Sequence, residues 1–283
     1  MRHGRLICPH QDLNPSRVLL MISEKKYPLL NQRAPASIAI TDYPSSSISF
    51  LSYPPPSVPI PDYLERVYWW AYVRPWAIRI FERRWLVNLI LFGNYSRLID
   101  VALEEFGKAS GKTLQVACVY GDLTLRVSER IAKDGGSLDV VDVVPAQLQN
   151  LQRKLPPDTK VSLIQHDSTA LGFADGSYDR ALLYMLLHEQ PDAVRRRTLA
   201  EVARVVKPGG KIVIIDYHRP RRWHPLRDFL KFILVTLEPF ALALWDHEIS
   251  HYLPDDRLFA SVDKQTYFGG MYQKIVLVRS DRR

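Results

Sequence analysis

The stretch EVARVVKPGGKIVIID, residues 201–216, decides the fold. Its first part has the apolar spacing of a helix, and Pro208-Gly209-Gly210 predicts a tight turn. The β-branched run that follows predicts a buried strand, which ends in the carboxylate of Asp216. A helix that turns directly into a buried strand is the repeating unit of a parallel sheet covered by helices.

Further apolar, β-branched runs indicate the other strands of this sheet. Four of them precede the deciding stretch, at residues 114–119, 138–144, 161–165 and 180–187. The four connections between the five strands each have room for a crossover helix. We therefore predict an α/β fold with a doubly wound, mostly parallel sheet. A last run at 272–278 predicts a C-terminal antiparallel hairpin with residues 261–268, joined through Gly269-Gly270.

Two segments precede the sheet. Residues 1–62 hold 10 of the 20 prolines, and we expect an extended, largely disordered arm there. An organelle transit peptide is the alternative for this arm. Residues 63–110 are aromatic and basic at helical spacing and predict an N-terminal helical cap. The cap helix either packs on the core, or lies on a membrane surface or over the substrate as a lid.

Composition excludes several classes of protein. The 283 residues are 47% hydrophobic and 24% charged, which excludes wholesale disorder, a collagen-like chain and a coiled coil. Only Cys8 and Cys118 are present, so neither a disulfide scaffold nor a cysteine-based zinc module is expected, and a reducing compartment fits. The 38 Lys and Arg exceed the 30 Asp and Glu by eight. Since the sequence has no motif of aromatic and basic residues that would bind nucleic acid, a nucleic-acid partner is not expected.

The strand ends carry polar side chains suited to a ligand. In open parallel sheets, ligands bind at the carboxyl edge of the strands. Asp142 ends the second strand, where a carboxylate can accept both hydroxyls of a ribose. His166-Asp167-Ser168 follows the third strand, and Asp216-Tyr217-His218 ends the fifth. The sequence thus predicts one site along this edge.

Together these residues resemble the class I S-adenosylmethionine-dependent methyltransferases, over roughly residues 110–218. The most specific parts are the Glu-x-x-Arg-Val-x-Lys-Pro-Gly-Gly run at 201–210 and Asp-Gly-Ser-Tyr-Asp at 175–179. The resemblance implies a Rossmann-like domain over 111–283 that uses S-adenosylmethionine, with Asp142 on the ribose and Asp167 and Ser168 at the adenine. The full set of cofactor-binding residues that it implies is Ala117, Tyr120, Gly121, Asp142, Val143, Asp167 and Ser168.

The first loop departs from that family's pattern. Methyltransferases usually have an acid and three glycines there, whereas this chain has Gln115, Ala117, Val119 and Gly121. A Cβ at Ala117 and a branched side chain at Val119 would crowd the usual cofactor position. Either cofactor binding is lost, or the methionine part is held differently.

The whole pattern resembles one offshoot, the rhodoquinone-biosynthesis methyltransferase-like proteins. The stretches that carry this resemblance are residues 68–76, 116–124, 141–145, 166–168 and 184–189. It implies a ubiquinone substrate and a rhodoquinone product, formed when an amino group from S-adenosylmethionine replaces a ring methoxy group with the assistance of manganese. A conventional O- or C-methyltransferase on a quinol or lipid, and a non-catalytic binding protein of the same fold, are the alternatives.

Replacing methoxy by amine is an addition–elimination, which a base and a donor to the quinone carbonyl would assist. His188 is a candidate base or metal ligand, Asp122 a candidate partner for the cofactor amine, and Tyr184 a candidate donor. Asp216 and His218 are further candidates at the fifth strand end. His247-Glu-x-x-His251 has helical spacing and is a candidate manganese site, because imidazole and carboxylate suit that ion.

A basic segment predicts where the protein acts. Residues 219–231 contain five cations and one acid, and an apolar run follows. We expect a helix that lies on an anionic membrane, which would give access to a long-tailed quinone. This predicts a peripheral protein on the cytoplasmic side of an inner membrane, or a protein of the mitochondrial inner membrane if the arm is a transit peptide. Oligomeric state is left open.

Overall fold

The computed structural model describes residues 58–73 and 75–281. The predicted arm therefore lies, except for its last five residues, outside the described part of the chain. Arg74 also lies outside it. The prediction for the arm is untested.

A seven-stranded sheet in the order β3-β2-β1-β4-β5-β7-β6 forms the centre of the molecule. Strands β1 to β5 are parallel, and β7 pairs antiparallel with both β5 and β6. The strands are β1 Lys112–Val116, β2 Ser137–Asp142, β3 Val161–Gln165, β4 Tyr178–Tyr184, β5 Val206–Tyr217, β6 Phe259–Tyr267 and β7 Tyr272–Arg279. The predicted α/β sheet and its C-terminal hairpin are confirmed.

Helices cover both faces of the sheet. They are α1 Asp62–Val67, α2 Pro75–Phe81, α3 Arg84–Ile90, α4 Tyr95–Glu104, α5 Leu123–Ala132, α6 Pro145–Lys154, α7 Asp192–Val205, α8 Arg227–Leu237 and α9 Ala243–Asp246. Val213 and Ile215 of β5 belong to one buried cluster and Ile212 and Ile214 to the other, as alternation along a strand requires. The sheet is therefore buried on both sides.

Two details of the connections differ from the sequence-based expectation. Residues 166–177, between β3 and β4, form no helix; Gly172 and Gly176 there have φ of +70° and +62°. Such values favour glycine and interrupt a helix. The Pro-Gly-Gly segment lies inside β5 as a bulge, because Val206 pairs with Tyr178 and Lys211 already pairs with Arg180.

The predicted cap consists of short helices around a π-helical turn, Trp69–Val73. Helices α1 to α3 lie at the carboxyl edge of the sheet, whereas α4 contributes Leu98 and Ile99 to the core. No single helix in the described ranges has the length and hydropathy needed to cross a bilayer. Helices α3 and α4 reach that threshold only as a pair, and they are bent by 89° to each other.

Candidate functional site

A cavity of about 650 Å³ lies at the carboxyl ends of β1, β2 and β4. The loops after these strands form its base. The cap covers it from one side, and α8 closes it from another. Aromatic and aliphatic side chains make up most of its lining, and polar groups are few. This is the edge where ligands bind in open parallel sheets.

The loop after β1 carries its unusual residues in a conformation that glycine normally adopts. Ala117 has φ of +72°, the left-handed region, and its N–H donates to the carbonyl of Val141 at 2.8 Å. Gln115, at the position of the missing acid, is fully buried. Its Nε2 donates to the Ala117 carbonyl at 3.0 Å and to Thr124 Oγ1 at 2.9 Å. Gln115 therefore stabilises the loop from its buried side, and Ala117 lines the cavity on the other side.

Asp142 lines the cavity at the end of β2. Its Oδ2 accepts from the N–H of Cys118 at 2.7 Å, and its Oδ1 accepts from the N–H of Val144 at 2.8 Å. Burial raises the pKa of Asp142 to about 6, against the effect of these hydrogen bonds. The Cys118 thiol and the Val143 N–H also lower this pKa as hydrogen-bond donors. Asp142 lies at the cavity, and its contact with a ribose stays a prediction.

Asp167 and Ser168 line the same cavity. Ser168 Oγ lies 2.8 Å from Thr198 Oγ1 and accepts from Gln190 Nε2 at 3.1 Å. Asp167 Oδ1 accepts from the N–H of Thr169 at 2.8 Å. Of the seven residues predicted to bind the cofactor, the structure brings all but Gly121 to the cavity. Those six are Ala117, Tyr120, Asp142, Val143, Asp167 and Ser168.

Tyr120 connects the cap to the sheet. Its ring stacks between Tyr72, at 5.6 Å, and Phe81, at 5.9 Å. Its hydroxyl donates to the Ala71 carbonyl at 2.5 Å and accepts from Gln147 Nε2 at 2.8 Å. The residue predicted to contact the cofactor thus also holds the cap over the cavity.

Gly121 and Asp122 lie outside the cavity lining. At Gly121, with φ of +85°, a Cβ would come within 2.3 Å of the Tyr95 hydroxyl. Asp122 Oδ2 pairs with Arg84 at 3.5 Å, and its Oδ1 is buried. The prediction that Asp122 acts in the site is therefore not supported, because its side chain is directed to the cap helix α3.

His188 lines the cavity directly after β4, and its Nδ1 lies 2.8 Å from Oδ1 of Asp216. Asp216 is fully buried behind it and does not reach the cavity. Burial opposes the charged imidazole, but the charge of Asp216 and its hydrogen bond raise the pKa of His188 to about 9. The raised pKa favours His188 as a proton donor at neutral pH, with Asp216 as its positioning residue. Its predicted role as a base or metal ligand stays a prediction.

Two carboxyl groups that the sequence reasoning missed also line the cavity, Glu189 and Glu238. Tyr72 of the cap donates a hydrogen bond to Glu189 Oε1. Burial is the main cause that raises the pKa of Glu189, to about 8, and of Glu238. Two signals were available: Glu189 directly follows His188, and Glu238 interrupts the apolar run of α8.

Tyr184 lines the cavity, but its hydroxyl lies 3.5 Å from the Tyr95 carbonyl and its side chain is almost fully buried. It belongs mainly to the core. His218 lies away from the cavity lining. Its Nδ1 is 2.9 Å from the Gly270 carbonyl and its Nε2 is 2.9 Å from Lys264 Nζ, on the side of the hairpin. The prediction of a site role for His218 is not supported.

His247 and His251 form a ring stack at 4.4 Å without sharing a helix. His247 and Glu248 are extended residues between α9 and the short turn Ile249–Tyr252, which carries His251. His251 Nε2 is 2.7 Å from a guanidinium nitrogen of Arg196. In the described part of the chain, no three His, Cys, Asp or Glu side chains are grouped as a metal site. The residues present thus do not fit a manganese ion held by protein ligands alone, and a cationic guanidinium at His251 disfavours one.

The mouth of the cavity is apolar. Leu89 and Ile90 of α3 and Phe229 and Leu237 of α8 line the cavity and are also exposed. Phe229 contacts Phe92 edge to face at 6.2 Å, which joins the two sides of the mouth. Trp85 and Phe232 extend this surface with exposed fractions of 61% and 68%.

This chain is similar to methyltransferases, in sequence and in fold. Residues 113–210 match a family described as a methyltransferase domain. An uncharacterized methyltransferase of Synechocystis is 28% identical over 73% of this chain and 92% of its own length. A 2-phytyl-1,4-naphthoquinone methyltransferase of Nostoc is 30% identical over 49% of this chain, and the match spans 60% of that relative. The structure of an O-methyltransferase family protein from Burkholderia thailandensis superposes with a TM-score of 0.54 at 17% identity, over 73% of this chain and 60% of that one. The fold is that of the class I methyltransferases.

Proposed function

We propose that this chain, a class I methyltransferase fold with a methyltransferase domain over residues 113–210, is an S-adenosylmethionine-dependent transferase that acts on a quinone with an apolar tail. The observation that carries the proposal is one continuous cavity. It extends from the predicted cofactor residues Asp142 and Asp167 to the apolar mouth at Phe229. If the quinone ring binds at His188, its apolar tail can extend through the apolar mouth of the cavity. The relative that methylates a phytyl-naphthoquinone supports this substrate class.

The specific reaction that we propose is the conversion of ubiquinone to rhodoquinone, in which an amino group replaces a ring methoxy group. When bound, S-adenosylmethionine would supply the amino group. The altered first loop supports a placement of its methionine part that differs from that in ordinary methyltransferases, because Ala117 keeps the left-handed backbone and adds a Cβ on the cavity side. His188, held protonated by Asp216, would donate to a quinone carbonyl.

Conventional methylation is the second candidate, and the named Nostoc relative favours it. The cavity would also accommodate a quinol substrate, since a quinol has a ring, oxygen atoms and an apolar tail like those of a quinone. The two candidates differ in what the product gains, a nitrogen or a methyl group.

One assay separates them. Purified protein is incubated in detergent with ubiquinone or with its quinol, whose hydroxyl groups can accept a methyl group. The S-adenosylmethionine carries distinct labels on its amino nitrogen and its methyl carbon, and manganese is present or absent. Mass spectrometry of the quinone should show the nitrogen label together with loss of a methoxy group. A methyl label instead would establish the second candidate. Absence of any labelled product from the folded wild type would reject both candidates. Where product forms, Asp142→Ala should reduce it and Asp263→Ala, an exposed change on β6, should not.

We also propose that the apolar mouth lies on a membrane surface, as a peripheral association with an inner membrane. Exposed Trp85, Leu89 and Phe232 surround it, and Lys231 lies on the same helix as Phe232. Aromatic side chains with flanking cations favour an anionic bilayer surface. Sedimentation with anionic vesicles should retain the wild type, and Phe232→Glu should reduce the bound fraction. Equal binding of Phe232→Glu and wild type would reject this surface.

A further inference from the structure

Two buried carboxyl groups line the cavity on the side of His188, apart from the predicted cofactor residues. Glu189 follows β4, in the single turn Leu187–Glu189, and its side chain is 12% exposed. Glu238 directly follows α8, and its Oε2 is buried. Both line the cavity near His188. Burying two carboxylates at one place costs free energy unless they are neutralised or hydrogen-bonded.

Each carboxyl group has an oxygen without a well-aligned hydrogen bond among the described residues. Tyr72 donates to Glu189 Oε1, and within the described ranges nothing is hydrogen-bonded to its Oε2. Glu238 Oε2 is buried without a well-aligned hydrogen bond from the described residues, and the buried Tyr68 hydroxyl lies beside this carboxyl group and lowers its pKa. Buried polar atoms in native proteins are nearly always satisfied, by protein, water or ligand. Both carboxyl groups line the cavity, so a polar part of a ligand there can reach Glu189 Oε2 and Glu238.

The surroundings favour the protonated form of both acids. Burial raises the pKa of Glu189 to about 8, with the nearby charge of Glu238 adding to the effect and that of His188 opposing it. Burial also raises the pKa of Glu238, again opposed by His188. The other titratable groups around the pair, from every element packed against it, are Asp216, Tyr63, Tyr68, Tyr72, Tyr120 and Tyr217. The cations beside the pair are His188 and Arg195, and the guanidinium of Arg195 is bonded to backbone carbonyl groups.

A buried arginine fixes the two segments that carry the acids. Arg195 of α7 is fully buried. It donates to the carbonyls of Leu187 at 2.8 Å and Gln190 at 2.9 Å, on either side of Glu189, and to that of Phe240 at 3.1 Å, two residues after Glu238. The pair is thus held in place by backbone contacts before any ligand binds, which reduces the entropy lost on binding.

The chemistry of this pair matches that of a quinone ring. A quinone offers carbonyl and methoxy oxygens, which only accept hydrogen bonds, so its site must supply donors. We propose that Glu189 and Glu238, in their neutral acid form, donate hydrogen bonds to the carbonyl oxygens of the quinone head group. The choice of ligand class rests on the proposed function; the donor pair does not depend on which group is transferred. A ligand with a positive charge would instead require that Glu189 and Glu238 are ionised.

Binding of a short-tailed ubiquinone, without cofactor, tests the proposal. Quenching of tryptophan fluorescence reports it, because Trp70 lines the cavity. Glu189→Leu and Glu238→Leu remove the donor at similar volume and should each weaken binding about tenfold, the effect expected from losing one buried hydrogen bond. Glu189→Gln and Glu238→Gln keep an N–H donor and should stay within about threefold of wild type. Glu104→Leu, an exposed acid on α4, should change nothing.

The outcomes distinguish this proposal from the proposed function. Absence of quinone binding by folded wild type would overturn both. Tight binding by wild type and by both leucine variants would overturn the donor pair alone and leave a quinone substrate in place. Glutamine variants that bind ubiquinone as weakly as the leucine variants, or ubiquinone affinity that rises with pH, would also overturn the neutral donor pair. Thermal melting and S-adenosylmethionine binding of each variant confirm that the site is intact.

Discussion

His188 Nδ1 lies 2.8 Å from Oδ1 of Asp216, and both side chains are buried. Asp216 also accepts from the backbone N–H groups of Leu187 and Tyr217, at 2.8 and 2.7 Å. This carboxylate therefore orients the imidazole and the turn after β4 together. The pair fixes a protonated ring at the base of the cavity, next to Glu189.

We expect the free energy of unfolding to fall as pH rises from about 4.5 to about 9. The pKa of His188 is raised from 6.5 to about 9 in the folded state, and that of Glu189 from 4.5 to about 8. The folded state then binds more protons than the unfolded chain, so stability decreases with pH. The contribution of His188 is complete below its unfolded pKa and is lost through about pH 9. It is on the order of 3 kcal/mol, measurable by urea unfolding at several pH values.

Asp216→Asn is the control for this dependence. It removes the charge that raises the pKa of His188 and should flatten the decline of stability above pH 6.5. The imidazole signals of His188 should then titrate at lower pH. An unchanged titration in Asp216→Asn would contradict the assignment of the raised pKa to this pair.

Tyr95→Phe should destabilise the protein by about 1–3 kcal/mol. Helix α5 begins after Asp122, whose side chain makes no capping hydrogen bond. Instead, the Tyr95 hydroxyl accepts from the N–H groups of Asp122 at 2.7 Å and Leu123 at 3.1 Å. Phenylalanine leaves these buried donors unpaired. Urea unfolding measures the loss; Tyr267→Phe, at an exposed hydrogen bond, should cost less than about 0.5 kcal/mol. Equal losses in the two variants would refute the capping role.

The sheet could be predicted because its strands are encoded locally. Residues 161–165 were expected as a strand and form β3 with the same bounds. Buried β-branched runs and the turn residues between them depend on near neighbours in sequence. The Pro-Gly-Gly bulge in β5 could not be predicted, because the bulge depends on pairing with β4.

The centre of the cavity depends on long-range contacts. Tyr72 and Glu189 are 117 residues apart in sequence and share a hydrogen bond. Nothing in either local pattern indicates this contact. Asp122 illustrates the reverse error: it directly follows a predicted cofactor loop, yet its side chain pairs with Arg84 of α3, a partner that only the docking of the cap supplies.

Ala117→Gly should leave stability unchanged or raise it by up to about 1 kcal/mol. A left-handed backbone costs a residue with a Cβ about 1–2 kcal/mol, and Ala117 has φ of +72°. The greater freedom of glycine in the unfolded chain offsets part of this gain. Ala203→Gly, in the interior of α7, should instead lose about 1 kcal/mol. Thermal melting compares the two; a similar loss in both would show that the Cβ of Ala117 is not strained.

Asp142→Ala should reduce S-adenosylmethionine affinity by at least about tenfold, the effect of losing a charge-assisted hydrogen bond. Two effects combine, since the carboxylate is the predicted ribose ligand and also accepts from the N–H groups of Cys118 and Val144. Adenosine and methionine as separate competitors distinguish them. If Asp142 binds the ribose, adenosine should lose its affinity and methionine should keep it. If the variant only disorders the loop after β1, both should weaken. Unchanged adenosine binding would reject the ribose assignment.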